Sequence, residues 1–303
     1  MPLIVLTPYK VPEKNVSPGS KTDVCVAGRH HNLAIKQDGS ISAWGDDIYG
    51  QVSNTPTDTG YIAVAGGDHQ NIALKQDGSL VAWGGDPFNY GSISDTPTGN
   101  DFIAVSAGED YSLALKQDGS IVAWGRDPDW ADFPVSNTPT DTGYVAIAAS
   151  RWHNLALKQD GSIVAWGLDD GQVSNTPSGT GFVDLGSNFG DHNVVLKSDG
   201  SLVAWGEDNN GQVSNTPTNT GFISVASGEF HSTAIKQDGS IVSWGSDDSG
   251  QVSSTPTGTG YIFVSAGRYH SLALHQDGSL VAWGRDDDNQ VSNTPTTSDF
   301  MLP

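Results

Sequence analysis

Histidine is the side chain in this sequence best suited to chemistry, since imidazole binds metals and exchanges protons near neutral pH. One histidine recurs just before an apolar alternating run in five places: His31, His153, His192, His231 and His270. Two corresponding positions hold Gln70 and Tyr111, which can replace histidine only where the task is a hydrogen bond. Each ring also falls in a different repeat, too far from the others for three to share one tetrahedral ion. The column therefore predicts buried hydrogen bonds, and we expect no metal ligands.

An aspartate follows Trp-Gly-X in every repeat and forms a second column: Asp47, Asp86, Asp127, Asp169, Asp208, Asp247 and Asp286. Runs such as Asp286–Asn289 lack the spaced ligands and the distal glutamate of a calcium loop. Capping of the local turn is the simpler interpretation, with weak divalent-cation binding as the alternative. The chain shows no Ser/His/Asp order, no carboxylate pair in an apolar setting and no phosphate loop. We therefore expect no catalytic residues, no cofactor and no enzyme activity.

Both columns belong to one unit that is repeated along the chain. The dipeptide Trp-Gly marks each copy, with spacings of 39 to 42 residues, at Trp44, Trp83, Trp124, Trp166, Trp205, Trp244 and Trp283. A fixed period near forty residues predicts a repeat architecture. The invariant tryptophan is expected to act as the large wedge that packs neighbouring units together.

The last complete unit, residues 261–295, shows how one copy should fold. Its short apolar runs predict four strands, lettered a to d, at residues 261–267, 271–276, 279–284 and 290–293. Asp277-Gly278 between strands b and c is the signal of a two-residue type I′ hairpin. Pro295 ends strand d, as suits an outer edge. Seven such units predict an all-β, seven-bladed β-propeller with four antiparallel strands per blade, and a linear β-solenoid is the alternative.

The repeats define one propeller domain, residues 22–303, preceded by an N-terminal extension, residues 1–21. Residues 299–302 look like the start of another strand a, while residues 22–26 begin the first one. We therefore expect the two ends of the propeller to meet, as a closed ring requires. In the extension, the apolar run Leu3–Leu6 is expected to add a strand at this seam or to serve as a docking arm.

The composition limits the partners and the location. Fourteen Lys and Arg against 35 Asp and Glu give a formal net charge of −21. Such a surface repels phosphate backbones and anionic membranes, so we expect no nucleic-acid binding and no membrane insertion. The start of the chain lacks a basic region and a signal-peptide core, and no run approaches the ~20 apolar residues of a membrane span. The location stays open, with a soluble, extracellular-surface or virion protein among the candidates.

The repeated unit resembles the repeat of the regulator of chromosome condensation family of seven-bladed propellers. The motifs that carry the resemblance are Ser-Leu-Ala-Leu, Asp-Gly-Ser, Ala-Trp-Gly and Gly-Gln. Within that family the chain is most similar to the bacterial propeller-type β-lactamase inhibitory proteins. The resemblance implies a protein-binding role for the variable loops, because loops at these positions engage the target protein in those inhibitors. The eukaryotic members catalyse nucleotide exchange on a small GTPase, but this chain lacks their basic tail and wedge loop, so exchange activity is disfavoured.

Variation between copies points to the binding face. The b–c hairpins and the Asn-Thr-Pro connections recur with few changes, whereas the a–b and c–d loops differ from blade to blade. Aromatic and Arg residues in these loops are typical of interface hot spots. The predicted partner-binding residues are Tyr49, Phe88, Tyr90, Trp130, Phe133, Arg151, Trp152, Phe230, Arg268 and Tyr269. A protein partner is the main prediction, and a glycan bound by a lectin-type propeller, or simple drift of unconstrained loops, is the alternative.

Overall fold

The computed structural model describes residues 23–127 and 134–303, and all regular secondary structure in these ranges is β-strand. In chain order the strands are β1 (Cys25–Ala27), β2 (His31–Ile35), β3 (Ile41–Gly45), β4 (Tyr61–Gly66), β5 (Gln70–Lys75), β6 (Leu80–Gly84), β7 (Phe102–Ala107), β8 (Tyr111–Lys116), β9 (Ile121–Gly125), β10 (Tyr144–Ala149), β11 (His153–Lys158), β12 (Ile163–Gly167), β13 (Phe182–Leu185), β14 (Ser187–Asn188), β15 (His192–Lys197), β16 (Leu202–Gly206), β17 (Phe222–Ser227), β18 (His231–Lys236), β19 (Ile241–Gly245), β20 (Tyr261–Ala266), β21 (His270–His275) and β22 (Leu280–Gly284). None of the described residues forms a helix long and apolar enough to cross a membrane.

These strands form seven sheets in which consecutive a, b and c strands pair antiparallel. The blades are β1–β3, β4–β6, β7–β9, β10–β12, β13 with β15 and β16, β17–β19, and β20–β22. The short β14 pairs in parallel with β17 of the sixth blade. Strand β1 contacts β20 of the seventh blade, so the first and last blades are neighbours. The prediction of an all-β, seven-bladed propeller is confirmed.

The expected fourth strand is a turn, and this corrects the strand count to three per blade. In blade 1, the amide of Asn54 donates to the carbonyl of Gly50, and the amide of Thr55 donates to the carbonyl of Val52, each at 3.2 Å. The amide of Val52 donates to the carboxylate of Asp47 at 2.9 Å. These N–H groups are satisfied inside the turn, so they are not available to pair with strand c.

The b–c hairpins also differ from the expected type I′ turn. In blade 1, the Gly39 amide donates to the Lys36 carbonyl at 2.9 Å, and the Lys36 amide donates to the Ser40 carbonyl at 2.8 Å. Only Gly39 of this turn has a positive φ, +78°. This is a type I turn followed by a glycine bulge. Asp38 holds the turn by accepting the amide and the hydroxyl of Ser40, at 2.9 and 2.6 Å.

The Trp-Gly dipeptide joins neighbouring blades. Trp83 of blade 2 packs in one apolar cluster with Leu33 of blade 1, and its indole N–H donates to the carbonyl of Gln51 in blade 1 at 3.1 Å. The glycine that follows each tryptophan has a positive φ, +110° at Gly45. A Cβ on Gly45 would lie 2.7 Å from the carbonyl oxygen of His30, so only glycine fits the approach between strand c and the a–b loop. The predicted wedge role of tryptophan is confirmed.

The histidine column bonds each blade to the next. His31 Nε2 lies 2.6 Å from Asn71 Oδ1, and the bond that crosses the ring closure joins His270 Nε2 to Asn32 Oδ1 at 3.0 Å. Three further bonds of this kind are His153–Asn193 at 2.8 Å, His192–Ser232 at 2.8 Å and His231–Ser271 at 2.7 Å.

The two non-histidine members of the column do the same work. The Gln70 amide donates to the carbonyls of Gly108 and Tyr111, and the Tyr111 hydroxyl donates to Asn154 Oδ1 at 2.8 Å. All seven blades are thus linked in a closed circle of hydrogen bonds. The predicted hydrogen-bonding role of the column is confirmed, and burial favours the neutral imidazoles by lowering the pKa of His153 and His231 to about 4.

The two ends of the described chain share strand a of blade 1. Phe300 forms an antiparallel bridge with Lys36, and the amide of Met301 donates to the carbonyl of Ile35 at 2.8 Å. In blade 2 the same position is the pair Tyr61–Lys75 at the start of strand a. The expectation that the ends of the propeller meet is confirmed, whereas the N-terminal extension with Leu3–Leu6 lies outside the described residues.

Candidate protein-binding face

Strand β11 shows how the two faces of the disc are separated. Trp152 comes directly before this strand, and the Asp160-Gly161 hairpin follows it, so the two lie at opposite ends of the strand. The amide of Asp46 donates to the carbonyl of His30 at 3.0 Å, which joins the turn after strand c to the a–b loop of the same blade. We call this side, formed by the a–b loops and the turns after strand c, the loop face. The opposite side, formed by the b–c hairpins and the connections between blades, is the hairpin face.

The a–b loops place a ring of charges at the centre of the loop face. One position of this loop carries a charge in six of the seven blades, and the seventh blade has Gly190 there. Three of the charged residues are cations, Arg29, Arg151 and Arg268, and three are anions, Asp68, Glu109 and Glu229. We call these six charged side chains the central ion network. Because they come from loops around one axis, residues far apart in the sequence meet there.

The central ion network crosses the axis of the propeller. Arg29 of blade 1 bonds to Asp68 of blade 2 and to Glu109 of blade 3, the latter at 2.9 Å. Arg151 contacts Glu109 at 3.0 Å, and Arg268 contacts Glu229 of blade 6 at 2.8 Å. The Glu229 side chain is only 6% exposed, against 34% for Arg151, so the carboxylates lie deeper than the guanidinium groups. Burial raises the pKa of Glu229, although the neighbouring arginines act in the opposite direction.

A cavity beneath the network is lined mainly by alanine, and one aromatic ring forms part of its wall. That ring is Phe189 of blade 5, which is buried. Blade 5 has one extra residue here: strand a starts 10 positions before the column histidine (192 − 182), against 9 in blade 6 (231 − 222). At the centre of the loop face a partner meets the a–b loops and their ion pairs.

Exposed apolar side chains cluster on blades 1 and 2 of the loop face. Ile48 is 77% exposed, Phe88 57% and Tyr49 39%. Tyr49 packs edge-on against His69 of the next blade, with ring centres 4.5 Å apart, and Phe88 lies 5.4 Å from Tyr90. We call Ile48, Tyr49, Phe88 and Tyr90 the aromatic strip.

Arg126 connects the aromatic strip to blade 4. Its guanidinium lies 4.6 Å from the centre of the Tyr90 ring and 4.9 Å from that of Trp152, and it pairs with Asp110 at 3.0 Å. Trp152 itself is 6% exposed, so it supports this arginine and presents little surface to a partner. Arg151 likewise lies in the central ion network, with its charge directed to Glu109.

The remaining predicted site residues fall in two groups. Phe230 and Tyr269 stack with ring centres 5.3 Å apart on blades 6 and 7. Arg268 and Arg285 lie 5.0 and 5.4 Å from the Tyr269 ring, which fixes its position on the loop face. Trp130 and Phe133 were predicted on the c–d loop of blade 3 and lie outside the described residues.

Sequence reasoning missed Ile48, the most exposed of the large apolar side chains in the described ranges. A signal was present, because the corresponding turns of blades 4 and 6 carry Asp170 and Asp248. It also missed Ile103 and Ile223, both 47% exposed, which stand second in strand a and therefore near the hairpin face.

The aspartate column caps the turns that replace strand d. Asp208 accepts the amides of Val213 and Ser214, both at 2.9 Å. The bond from the Ser214 amide lowers the pKa of Asp208 and keeps the carboxylate charged. The predicted capping role is confirmed. Within the described part of the chain, no group of three or more His, Cys, Asp or Glu side chains is arranged to hold a metal ion.

The three-stranded blades, closed into a ring, define a seven-bladed β-propeller. The family model described as the Regulator of chromosome condensation (RCC1) repeat matches five stretches of the chain: residues 102–129, 144–172, 183–212, 222–251 and 261–290. The chain therefore belongs to the proteins built from RCC1 repeats, as its sequence predicts. None of the curated proteins matches the chain.

Solved structures share this fold at low sequence identity. The CRINKLY WD40 ectodomain of the Arabidopsis thaliana receptor kinase ACR4 is 21% identical, with a TM-score of 0.68, over 86% of this chain and 97% of that one. The ectodomain of the Physcomitrella patens receptor kinase CR4 is 19% identical, with a TM-score of 0.71, over 86% of this chain and 73% of that one. Prp20p from Saccharomyces cerevisiae, described with its binding properties to Gsp1p and histones, is 21% identical, with a TM-score of 0.63, over 79% and 75%. These likenesses concern the fold.

Proposed function

We propose that this chain is a non-enzymatic binding protein that recognises a protein partner through its loop face. The observation that carries the proposal is the contrast between the two faces. The hairpin face repeats nearly the same loop seven times, whereas the loop face varies and carries the exposed aromatic strip on adjacent blades. Loops that vary on a rigid scaffold are where proteins place specificity.

The chemistry of the loop face supports a macromolecular ligand. Aromatic and Arg side chains dominate interface hot spots, and the strip offers aromatic rings with Arg126 packed beside Tyr90. Ligand pockets for small molecules are concave and bury most of the ligand, whereas Ile48 and Phe88 stand exposed on the surface of this face. Prp20p, a propeller of similar fold, is described as binding Gsp1p and histones, so the scaffold is compatible with protein partners.

Two roles fit this class. In an inhibitor-like role, one partner would cover the variable loops of several blades. In an assembly role, the partner would be a neighbouring subunit at a cell surface or in a virus particle. The competing class is a lectin, which would repeat one sugar pocket in each blade, whereas the aromatic residues here differ between blades.

The test is capture of partners from the native source by three forms of the chain. The first is the wild type, and the second is the loop-face variant Ile48→Ser/Phe88→Ser. The third is the matched hairpin-face variant Ile103→Ser/Ile223→Ser. All four side chains are exposed, so each double change removes two apolar side chains from the surface with little effect on the core. We expect the loop-face variant alone to lose the captured protein.

The same three proteins should be applied to a glycan array. Binding of simple sugars by the wild type and by both variants would contradict a protein-binding loop face and would favour the lectin. Equal capture of proteins by the loop-face variant and the wild type would move the site elsewhere on the chain.

A further inference from the structure

The aromatic strip carries enough chemistry to define what its partner presents. We infer that the strip binds a basic protein segment, in which Lys or Arg side chains stand beside apolar ones. This inference rests on the proposed function and adds the partner's chemistry and the place where it docks. The contacts of the charged groups around the strip are the basis for it.

The arginines of the loop face are already neutralised. All five arginines of the chain lie on this face, and each pairs with a carboxylate: Arg29 with Asp68, Arg126 with Asp110, Arg151 with Glu109, Arg268 with Glu229 and Arg285 with Asp287. A guanidinium paired in this way offers little attraction to an acidic partner, because that partner would have to displace the existing carboxylate.

The lysines cannot serve the strip either. The described lysines stand at the ends of the b strands, next to the b–c hairpins, on the other side of the disc: Lys36, Lys75, Lys116, Lys158, Lys197 and Lys236. The imidazole of His69, which packs against Tyr49, faces Asp110 at 3.3 Å and Asp68 at 3.7 Å. Within the described residues, the cations near the strip are therefore all engaged by carboxylates.

Three further carboxylates next to the strip accept hydrogen bonds from neutral donors, and no described cation pairs with them. Asp46 accepts the amide of Ile48 at 3.2 Å and the side-chain amide of Gln51 at 3.1 Å. Asp47 accepts the amide of Val52 at 2.9 Å. In blade 2, Asp86 accepts the amide of Tyr90 at 2.8 Å. These bonds leave the negative charges in place on both sides of the exposed apolar side chains.

The surface is therefore apolar at its centre and negative at its edge. An apolar side chain of the partner gains by covering Ile48 or Phe88, and a nearby cation gains from the carboxylates and from the faces of the aromatic rings. The net charge of −21 steers a basic segment toward the protein and repels an acidic one. It also disfavours contact between the loop faces of two copies of this chain.

In the experiment, a random library of displayed peptides is selected for binding to the wild-type chain. The selected peptides are then synthesised, and their affinities for the wild type and for variants are measured by titration. Ile48→Ser/Phe88→Ser removes the apolar part of the strip, and Asp46→Asn/Asp47→Asn removes two charges while keeping oxygen acceptors for the turn. The matched control Asp160→Asn/Asp199→Asn removes two charges from the hairpin face. Thermal unfolding and near-UV circular dichroism confirm that each variant is folded.

We expect the selected peptides to combine Lys or Arg with apolar residues and to lose most of their affinity for the apolar variant. The acidic variant of the strip should bind them about threefold to tenfold more weakly, as two exposed charge contacts allow, and the control should bind within about twofold. Raising the salt from about 0.05 to about 0.5 M should also weaken binding, since screening shortens the range of these charges.

The outcomes separate the inference from the proposed function. Peptides that need Ile48 and Phe88 but are neutral or acidic would overturn the inference and leave the loop face as the binding face. Peptides that bind every variant equally would count against both. Equal weakening by the two Asp-to-Asn pairs would mean unspecific attraction to an acidic protein and would overturn the inference.

Discussion

The closed circle of hydrogen bonds makes the stability of the propeller depend on pH through its buried histidines. His231 is the simplest case, because burial is the sole cause that lowers its pKa from 6.5 to about 4. The folded protein keeps this ring neutral, whereas the unfolded chain binds a proton below pH 6.5. Stability contributed by the neutral ring is therefore complete above about pH 6.5 and is lost as the pH falls toward 4.

The perturbation is His231→Gln, which copies the solution that the chain itself uses at Gln70. At about pH 7.5 the variant should be less stable by about 1 kcal/mol, because the 2.7 Å bond from His231 to Ser271 Oγ is lost or weakened. For each pH unit below the pKa of the unfolded state, a buried neutral histidine lowers the free energy of unfolding of the wild type by about 1.4 kcal/mol. At about pH 5, His231 therefore lowers the free energy of unfolding of the wild type by about 2 kcal/mol. The variant has no imidazole at this position and does not show this loss.

Urea unfolding at several pH values, followed by the fluorescence of the nine tryptophans, measures this difference. We expect the stability gap between the two proteins to close, or to change sign, between about pH 7.5 and about pH 5. The reverse change, Gln70→His, should make stability fall more steeply with acid and serves as the control. A gap that stays constant over this range would show that the folded protein protonates His231 freely, and the reasoning from burial would be refuted.

Three further predictions concern packing and turns. Trp83→Phe should lower the free energy of unfolding by about 1–2 kcal/mol, since the indole bond to Gln51 is lost; an unchanged urea midpoint would contradict this. Phe300→Ala should lower the free energy of unfolding by about 3–5 kcal/mol, because this fully buried ring completes strand a of blade 1. A thermal midpoint like that of the wild type would argue against closure of the ring by this residue. In urea unfolding, Asp208→Ala should lower the free energy of unfolding by about 1 kcal/mol, and Asp208→Asn should lower it much less because the amide oxygen can still cap the turn. Equal losses in both variants would mean that the charge of Asp208 matters and its capping bonds do not.

Repetition made much of this fold predictable. Seven copies of Trp-Gly and of the aspartate column give seven independent instances of one local environment, so a role must suit all of them. Substitution of histidine by Gln70 and Tyr111 identified a hydrogen-bonding position, and the bonds to the next blade agree with it. The low identity to solved propellers did not matter, because the period and the turn residues carry the fold.

Local turn geometry was predicted less well. Asp-Gly between two strands indicated a type I′ hairpin, yet the strands pair so that Gly39 forms a bulge and Asp38 keeps a negative φ. The run Gly50–Thr55 has the composition of an edge strand, but Asp47 draws its amides into a turn. In both cases a side chain competes with the backbone for the same N–H groups, and the residue pattern alone does not decide which partner is bound.

The amino-acid sequence by itself determined the number of blades, the residues that join them and the side of the disc on which the loops vary. Only the tertiary structure decided how the side chains of those loops lie: Trp152 is covered by Arg126, Ile48 is exposed, and Arg29 reaches Glu229, 200 positions further along the chain (229 − 29). The physical reason is that a repeat sets the path of the backbone through local bonds. The burial and pairing of a loop side chain depend instead on neighbours that the closed ring brings together from distant blades.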